Sequence, residues 1–320
     1  MTSLSPNVKN FDASEYLAAY QNKRVRRPIY LKFNENTCPL EADCQESVLS
    51  SGFRAFARLA LQMDVKDFLA LGTGNGLDAL GAIEIFDLDS VTITDVLPEI
   101  VAAARENVES NLDPGTQIKI YDYVGSLLSC IPAEHKFSLI YENLPVLQKP
   151  QEVDLKVGIN STIFFDREQE EVPEILDSYL LGSHYICLQQ AYERLYPEGG
   201  GVLTGISGRV PLEIVFNLHQ TCGYTPELIV FDVKIQSAPE TILPGYSQVE
   251  EEKNIEFKYY ATEAIAIVEA ARREGLEGQE ILNAVQSDIE RYAMSAKESW
   301  DQVRKGKKIA QGEWMVFGKR

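Results

Sequence analysis

Between Asp67 and Gln236, short β-rich apolar runs alternate with stretches whose apolar residues recur at helical spacing. This is the pattern of a parallel sheet flanked by helices. The runs predict strands over Phe68–Leu71, Val91–Thr94, Lys119–Tyr123, Phe137–Tyr141, Gly201–Ile206 and Leu228–Ile235. The periodic stretches predict helices over Asp78–Ile85, Pro98–Ser110, Ser178–Leu195 and Pro211–Cys222. Pro98 suits a first helical turn, while Pro197 with Gly199, and later Gly223, stand just past helix ends, where the chain must leave helical geometry.

Outside this region the pattern changes. The first 66 residues read as a helical cap that ends in the amphipathic segment SVLSSGFRAFARLALQM. The closing GEWMVFGKR reads as one more strand, and the roughly 75 residues before it read as an insertion rather than a linker. Within the insertion, Tyr260–Gly275 and Gly278–Trp300 carry helical periodicity, and PGYSQVEEEKNIEFKYY mixes aromatics with acids. The expected organisation is therefore a cap over 1–66, a core over 67–236, a helical insertion over 237–310 that covers the substrate, and a final core strand over 311–320.

Composition narrows the class. A chain of 320 residues with 45% apolar content can fill a full core. No apolar run approaches 18 residues, and MTSLSPNVKNFDASEY has neither a basic nor an apolar leader segment, so a cytoplasmic protein without a membrane span is expected. Cys38, Cys44, Cys130, Cys187 and Cys222 form no C-x-x-C pair, which predicts reduced thiols and no metal site. The net charge of -18 disfavours nucleic acid, against which only KRVRR at 23–27 and RKGKK at 304–308 could act. A homo-oligomer stays open.

The sharpest motif is FLALGTGNG at 68–76, an apolar strand that runs into Gly72, Thr73, Gly74 and Gly76. Glycines at a strand's carboxyl end permit a sharp turn and a close backbone approach to a ligand. Their spacing differs from the G-x-G-x-x-G dinucleotide fingerprint. The next strand, SVTITD, ends at Asp95, 19 residues after Gly76, where a carboxylate can accept both hydroxyls of a ribose. With DVLPEIVAAARENVESN after it, the run resembles the second strand and helix of class I, Rossmann-like S-adenosylmethionine-dependent methyltransferases. The resemblance covers about residues 67–236. It implies a seven-stranded, mostly parallel α/β sheet with S-adenosylmethionine across the strand ends, held by Gly72, Thr73, Gly74, Gly76, Asp95 and Val96. Gly125 and Ser126 stand where the family has Gly-Asp beside the adenine. One departure is Ala70, where the family usually has an acid for the methionine amino group. Asp78 or Glu35 could replace it, or backbone carbonyls could suffice.

The fourth strand ends FSLIYENLPVL, which places Asn143, Leu144 and Pro145 at the edge of the sheet. N-L-P-V resembles the Asn-Pro-Pro-Tyr signature of methyltransferases that modify amide or exocyclic amino nitrogens. The resemblance implies that the Asn143 side-chain oxygen, which also lies against the cofactor, and the Leu144 carbonyl accept the two hydrogens of an NH2 group. Val146 in place of the aromatic removes a stacking surface for a flat base. Glu142 is either a base for a charged amine or an exposed acid at the strand edge. Asp166, Glu168, Glu170, Glu171 and Glu250–Glu252 are candidate acids for a cationic acceptor, and Tyr30, Phe33, Phe164, Phe165, Tyr246 and Tyr259 candidate walls. His184 reads as structural, and His135 and His219 as exposed.

These readings converge on an S-adenosylmethionine-dependent methyltransferase that N-methylates an amino or amide group of a small molecule. The alternatives are a protein glutamine or amide methyltransferase and an O- or S-methyltransferase of a small metabolite. A dinucleotide-dependent oxidoreductase and a non-catalytic partner subunit are rivals of a different class.

Overall fold

The computed structural model describes residues 9–33, 40, 44, 47–144, 146 and 171–320. In chain order, β1 (Lys9–Asp12), β2 (Tyr30–Phe33) and α1 (Val48–Leu59) lead into the core. The core runs β3 (Asp67–Leu71), α2 (Leu77–Ile85), β4 (Ser90–Asp95), α3 (Pro98–Asn111), β5 (Lys119–Val124) and β6 (Leu139–Glu142). It continues with α4 (Glu174–Ser178), α5 (Gly182–Tyr192), β7 (Gly201–Ser207), α6 (Leu212–Thr221) and β8 (Thr225–Ile235). Then follow α7 (Pro239–Lys253), β9 (Tyr259–Ala261), α8 (Glu263–Arg273), α9 (Gly278–Glu290), β10 (Ala293–Met294), α10 (Ala296–Arg304) and β11 (Ile309–Lys319).

The central sheet has the order β5–β4–β3–β6–β7–β11–β8, with β5 through β7 parallel and β11 antiparallel between β7 and β8. This is the α/β, Rossmann-like architecture that the alternating pattern predicts. β4 is buried at every position and β3 at all but its first, as expected of strands covered on both faces. Two apolar clusters supply the covers. One gathers α1, α2, α3 and the β1–β2 pair against one face, and the other gathers α5, α6 and the helices after β8 against the opposite face.

Five expectations need correction. Among the described residues the sheet has nine strands rather than seven, because β11 is longer than its partner β7. β7 pairs only with Glu313–Lys319, and β9 takes the backbone groups left at Ile309–Gln311 and carries β10 beyond it. The cap is not purely helical. Asn107 and Asn111, one turn apart on α3, each accept from and donate to the backbone of Lys32 and Tyr30 at 2.8–3.0 Å, so β2 finds on α3 the partners that its second edge needs. The predicted helix over Ser178–Leu195 is interrupted, since Leu180 adopts φ +62° between α4 and α5. Tyr260–Gly275 gives its first residues to β9. Gly278–Trp300 breaks at Tyr292, and α10 restarts from a capping box in which the Ser295 hydroxyl and the Glu298 carboxylate satisfy each other's backbone N–H.

Among the described residues no helix is long and apolar enough to cross a membrane.

Candidate functional site

In the order of the parallel strands, β4 and β5 lie on one side of β3, and β6 and β7 on the other. The loops that leave β3 and β6 therefore depart in opposite directions. A crevice opens between them at the carboxyl ends, the place where open parallel sheets bind ligands.

The loop after β3 forms one wall. Gly72, Gly74 and Gly76 have φ of +66°, +57° and +82°, a run of left-handed geometry that only glycine adopts without strain. The three differ in what surrounds them. A Cβ at Gly74 would meet nothing within 4 Å, so its Cα faces open space. A Cβ at Gly76 would stand 2.9 Å from the Ala104 carbonyl oxygen, so this glycine lets α3 pack against the turn. The resemblance gave Gly76 a cofactor contact, whereas its surroundings are those of a packing residue. Thr73 is buried and donates through Oγ1 to Asp78 Oδ1 at 2.6 Å, with the Ala79 N–H on the same oxygen at 2.7 Å. Burial pushes the Asp78 carboxyl up to about 7 despite these bonds. Asp78 thus braces the loop from inside.

Asp95 ends β4 beside this turn. Its Oδ2 lies 3.4 Å from the Gly74 N–H and its Oδ1 3.3 Å from the Leu97 N–H. Burial raises its pKa, while backbone N–H groups of Leu97, Gly74 and Val96 act the other way. Asp95, Val96, Gly125 and Ser126 line one cleft with Leu71 and Gly72. Gly125 suits this place because a Cβ there would collide with Cys130 at 2.6 Å. Thr94, Leu127, Leu144 and Ser183 complete the lining.

The far wall is the bend after β6. Asn143 is exposed, and its side chain lies over Gly205 of β7, where a Cβ would come within 3.0 Å of Asn143 Oδ1. Leu144 leans toward the glycine turn, with Cδ2 3.8 Å from where a Gly72 Cβ would be. Glu142 departs from both expected roles. It is fully buried, its Oε2 accepts from the Leu144 N–H at 3.1 Å, and its Oε1 lies 2.9 Å from His184 Nδ1. A carboxylate held by both oxygens is neither an exposed edge acid nor free to take a proton from an acceptor.

Other sequence candidates lie elsewhere. Tyr246 and Tyr259 are buried around the Arg209 guanidinium, with Arg209 Cζ 4.5 Å and 5.8 Å from their ring centroids. Glu250 accepts from the backbone of Phe257 and Ala296 at 2.8 and 2.9 Å, a structural use, whereas Glu171, Glu251 and Glu252 are exposed. Val146 is buried in the core, Tyr30 is exposed and Phe33 half-buried. Among the described residues, none from the insertion lines the cleft. Pro145, Asp166, Glu168, Glu170, Phe164, Phe165, Glu35 and Cys38 lie outside the described residues. His219, expected at the surface, is fully buried, and His135 is half-buried and stacked on Phe137.

Sequence reasoning missed Ser183 and His184 as parts of this edge. Reading one helix from Ser178 onward hid that Gly182, Ser183 and His184 form a helix's first turn, where one side chain can face the cleft and its neighbour can reach Glu142.

No family model matches the chain, and no curated protein matches it. Among solved structures, it resembles a ribosomal protein L11 methylase from Lactobacillus delbrueckii subsp. bulgaricus at 18% identity, covering 59% of this chain and 74% of that one with a TM-score of 0.38. It also resembles the N-methyltransferase NodS from Bradyrhizobium japonicum WM9 in complex with S-adenosyl-L-homocysteine, at 15% identity over 60% of this chain and 83% of that one, TM-score 0.37. A precorrin-6y C5,15-methyltransferase from Geobacter metallireducens GS-15 matches at 10% identity over 58% and 77%, TM-score 0.36. These likenesses are distant, and the reading of the site rests on its own geometry.

Proposed function

We propose that this chain is an S-adenosylmethionine-dependent methyltransferase of the class I type that methylates an amino or amide nitrogen of a small molecule. The observation that carries the cofactor reading is the edge shared by β3 and β4. Left-handed glycines leave open space at Gly74, and the buried Asp95 carboxylate stands beside them on a cleft that Leu144 also lines. The residues present fit the group: Asp95 would hold the ribose hydroxyls, the glycine turn would admit backbone contact, and Gly125 and Ser126 would flank the adenine.

S-adenosylmethionine supplies an electrophilic methyl group when bound at such an edge. The rest falls to the chain. Asn143 is exposed, and its Oδ1 and the Leu144 carbonyl would accept the hydrogens of an NH2 group. They would thereby aim the nitrogen and stabilise the positive charge that develops on it. Asn143 is exposed, and Val146 is buried in the core rather than turned toward a ligand, which supports a small amine or amide over a stacked base.

Calorimetric titration with S-adenosylhomocysteine, NAD+ and NADP+ tests the cofactor. Binding is expected for the first alone, and Asp95→Ala should cost about 2 to 4 kcal/mol of it through two lost charge-assisted hydrogen bonds. A dinucleotide that binds instead would favour the oxidoreductase rival. Screening amine, amide, hydroxyl and thiol metabolites with methyl-labelled cofactor then tests the nitrogen. Products labelled only at oxygen or sulfur would discard it, and absence of turnover with cofactor bound would favour a partner subunit.

A further inference from the structure

Glu142 and His184 are both fully buried, and each is the obvious partner of the other. His184 Nδ1 lies 2.9 Å from Glu142 Oε1, whereas among the described residues the buried His184 Nε2 has no hydrogen-bond partner. With Glu142 as the carboxylate acceptor, the hydrogen between the two groups sits on Nδ1. The remaining carboxylate oxygen, Oε2, accepts from the Leu144 N–H at 3.1 Å. A continuous chain of hydrogen bonds thus runs from the first turn of α5, through the end of β6, to the backbone of the bend that carries Asn143 and Leu144. Ser183, adjacent to His184 on that turn, and Leu144 both line the cofactor cleft.

We infer that His184 and Glu142 are positioning residues for the proposed transfer: they act as a buried clamp that sets the Asn143–Leu144 bend, and Glu142 is not its base. This rests on the methyltransferase reading for its purpose, but the clamp has its own observable. The bend would otherwise be held through two residues of loop, for which few geometries are excluded. With Leu144 N–H fixed, the Leu144 side chain is set against the cleft and Asn143 over Gly205, so acceptor groups and cofactor wall share one anchor. A glutamine at 142 keeps an acceptor oxygen for Leu144 N–H and turns its NH2 toward His184 Nδ1, which accepts once the ring carries its hydrogen on Nε2, and an asparagine at 184 keeps a donor near the place of Nδ1. Neither can serve as a proton acceptor in the way a carboxylate or imidazole does.

The test measures amide hydrogen exchange at Leu144 by NMR in the full chain, alongside calorimetric affinity for S-adenosylhomocysteine and the 15N shifts of the His184 ring. The wild type should show a slowly exchanging Leu144 amide and the Nδ1–H tautomer. Glu142→Ala and His184→Leu should speed exchange about tenfold or more and weaken S-adenosylhomocysteine by up to about tenfold, while Glu142→Gln and His184→Asn stay within about twofold on both. Equal protection in Glu142→Ala, or a wild-type His184 ring protonated on Nε2 instead, would overturn the clamp. If alanine fails to fold, the glutamine and asparagine variants still decide: exchange as fast in them as in a free loop overturns it. Absence of S-adenosylhomocysteine binding to the wild type would instead overturn the cofactor reading, with the Leu144 amide still deciding the clamp.

Discussion

At the scale of single residues, neighbouring glycines in one loop do different work, and the difference is measurable. Gly74 and Gly76 both need left-handed φ, so alanine at either costs about 1 to 2 kcal/mol of backbone strain. Only at Gly76 does the new methyl group also meet the Ala104 carbonyl, at 2.9 Å. Gly76→Ala should therefore destabilise the fold by more than strain alone, with a larger drop in urea midpoint than Gly74→Ala. Gly74→Ala adds its methyl to open space on the turn whose Gly74 N–H faces Asp95. It should leave the midpoint within the strain cost and lower S-adenosylhomocysteine affinity at least about tenfold. The reverse ranking, with Gly74→Ala the less stable and the better binder, would show that the turn is held from the other side.

At the scale of elements, α1 is fixed to the sheet by charge as well as by apolar contact. Arg54 on α1 meets Asp232 on β8 at 2.8 Å, Arg272 on α8 meets the same carboxylate, and Lys234 meets Glu313 on β11 at 2.7 Å. Ser51 donates to Glu313 at 2.8 Å. Burial works to raise the Asp232 pKa, but Arg54, Lys234 and Arg272 outweigh it and hold the carboxyl below its ordinary value. Asp232→Ala would leave two guanidinium groups without their shared anion, and unfolding in urea should show a loss of about 3 to 5 kcal/mol. Glu290→Ala, which breaks the exposed pair with Lys258, should cost under about 1 kcal/mol. This network also marks the limit of what the sequence makes legible. The core strands are readable because continuous apolar runs bounded by glycine and proline are local signals, and the glycine turn and Asp95 follow from their places at strand ends. Arg54, Asp232, Arg272 and Glu313 are scattered along the chain and meet only through strand order. Likewise β2 is not legible within the expected helical cap, because its second edge is partnered by two asparagine side chains on α3, far along the chain. The Glu142–His184 contact spans 42 residues and was hidden by a helix start placed too early.

At the scale of the whole molecule, two buried groups on opposite faces tilt the pH dependence of folding in opposite directions. His219 is fully buried with neither ring nitrogen hydrogen-bonded among the described residues, and burial pulls its pKa from 6.5 down to about 3, helped by the nearby His184. Between about pH 3 and 6.5 the unfolded chain therefore binds a proton here that the folded chain does not, so this group's contribution to stability rises with pH. Asp78 does the opposite. Its pKa rises from 3.8 to about 7, so between those values the folded chain holds a proton that the unfolded chain has lost, and stability from this group falls as pH rises. Each slope is about 1.4 kcal/mol per pH unit, and over the shared window from about pH 4 to 6.5 the two nearly cancel. Removing either should expose the other. Relative to the wild type, His219→Leu should gain stability steadily as the pH falls from 6.5, whereas Asp78→Asn should gain it as the pH rises from about 4 to 7. Urea unfolding of the three proteins across pH 4 to 7 measures both differences directly, since contributions common to all three subtract out. Parallel curves would mean that His219 finds a proton partner in the folded chain, or that Asp78 is ionised there and held by Thr73 and the Ala79 N–H alone. In the second case the glycine turn would carry a negative charge behind Thr73 at neutral pH, close to the site proposed for a cationic cofactor.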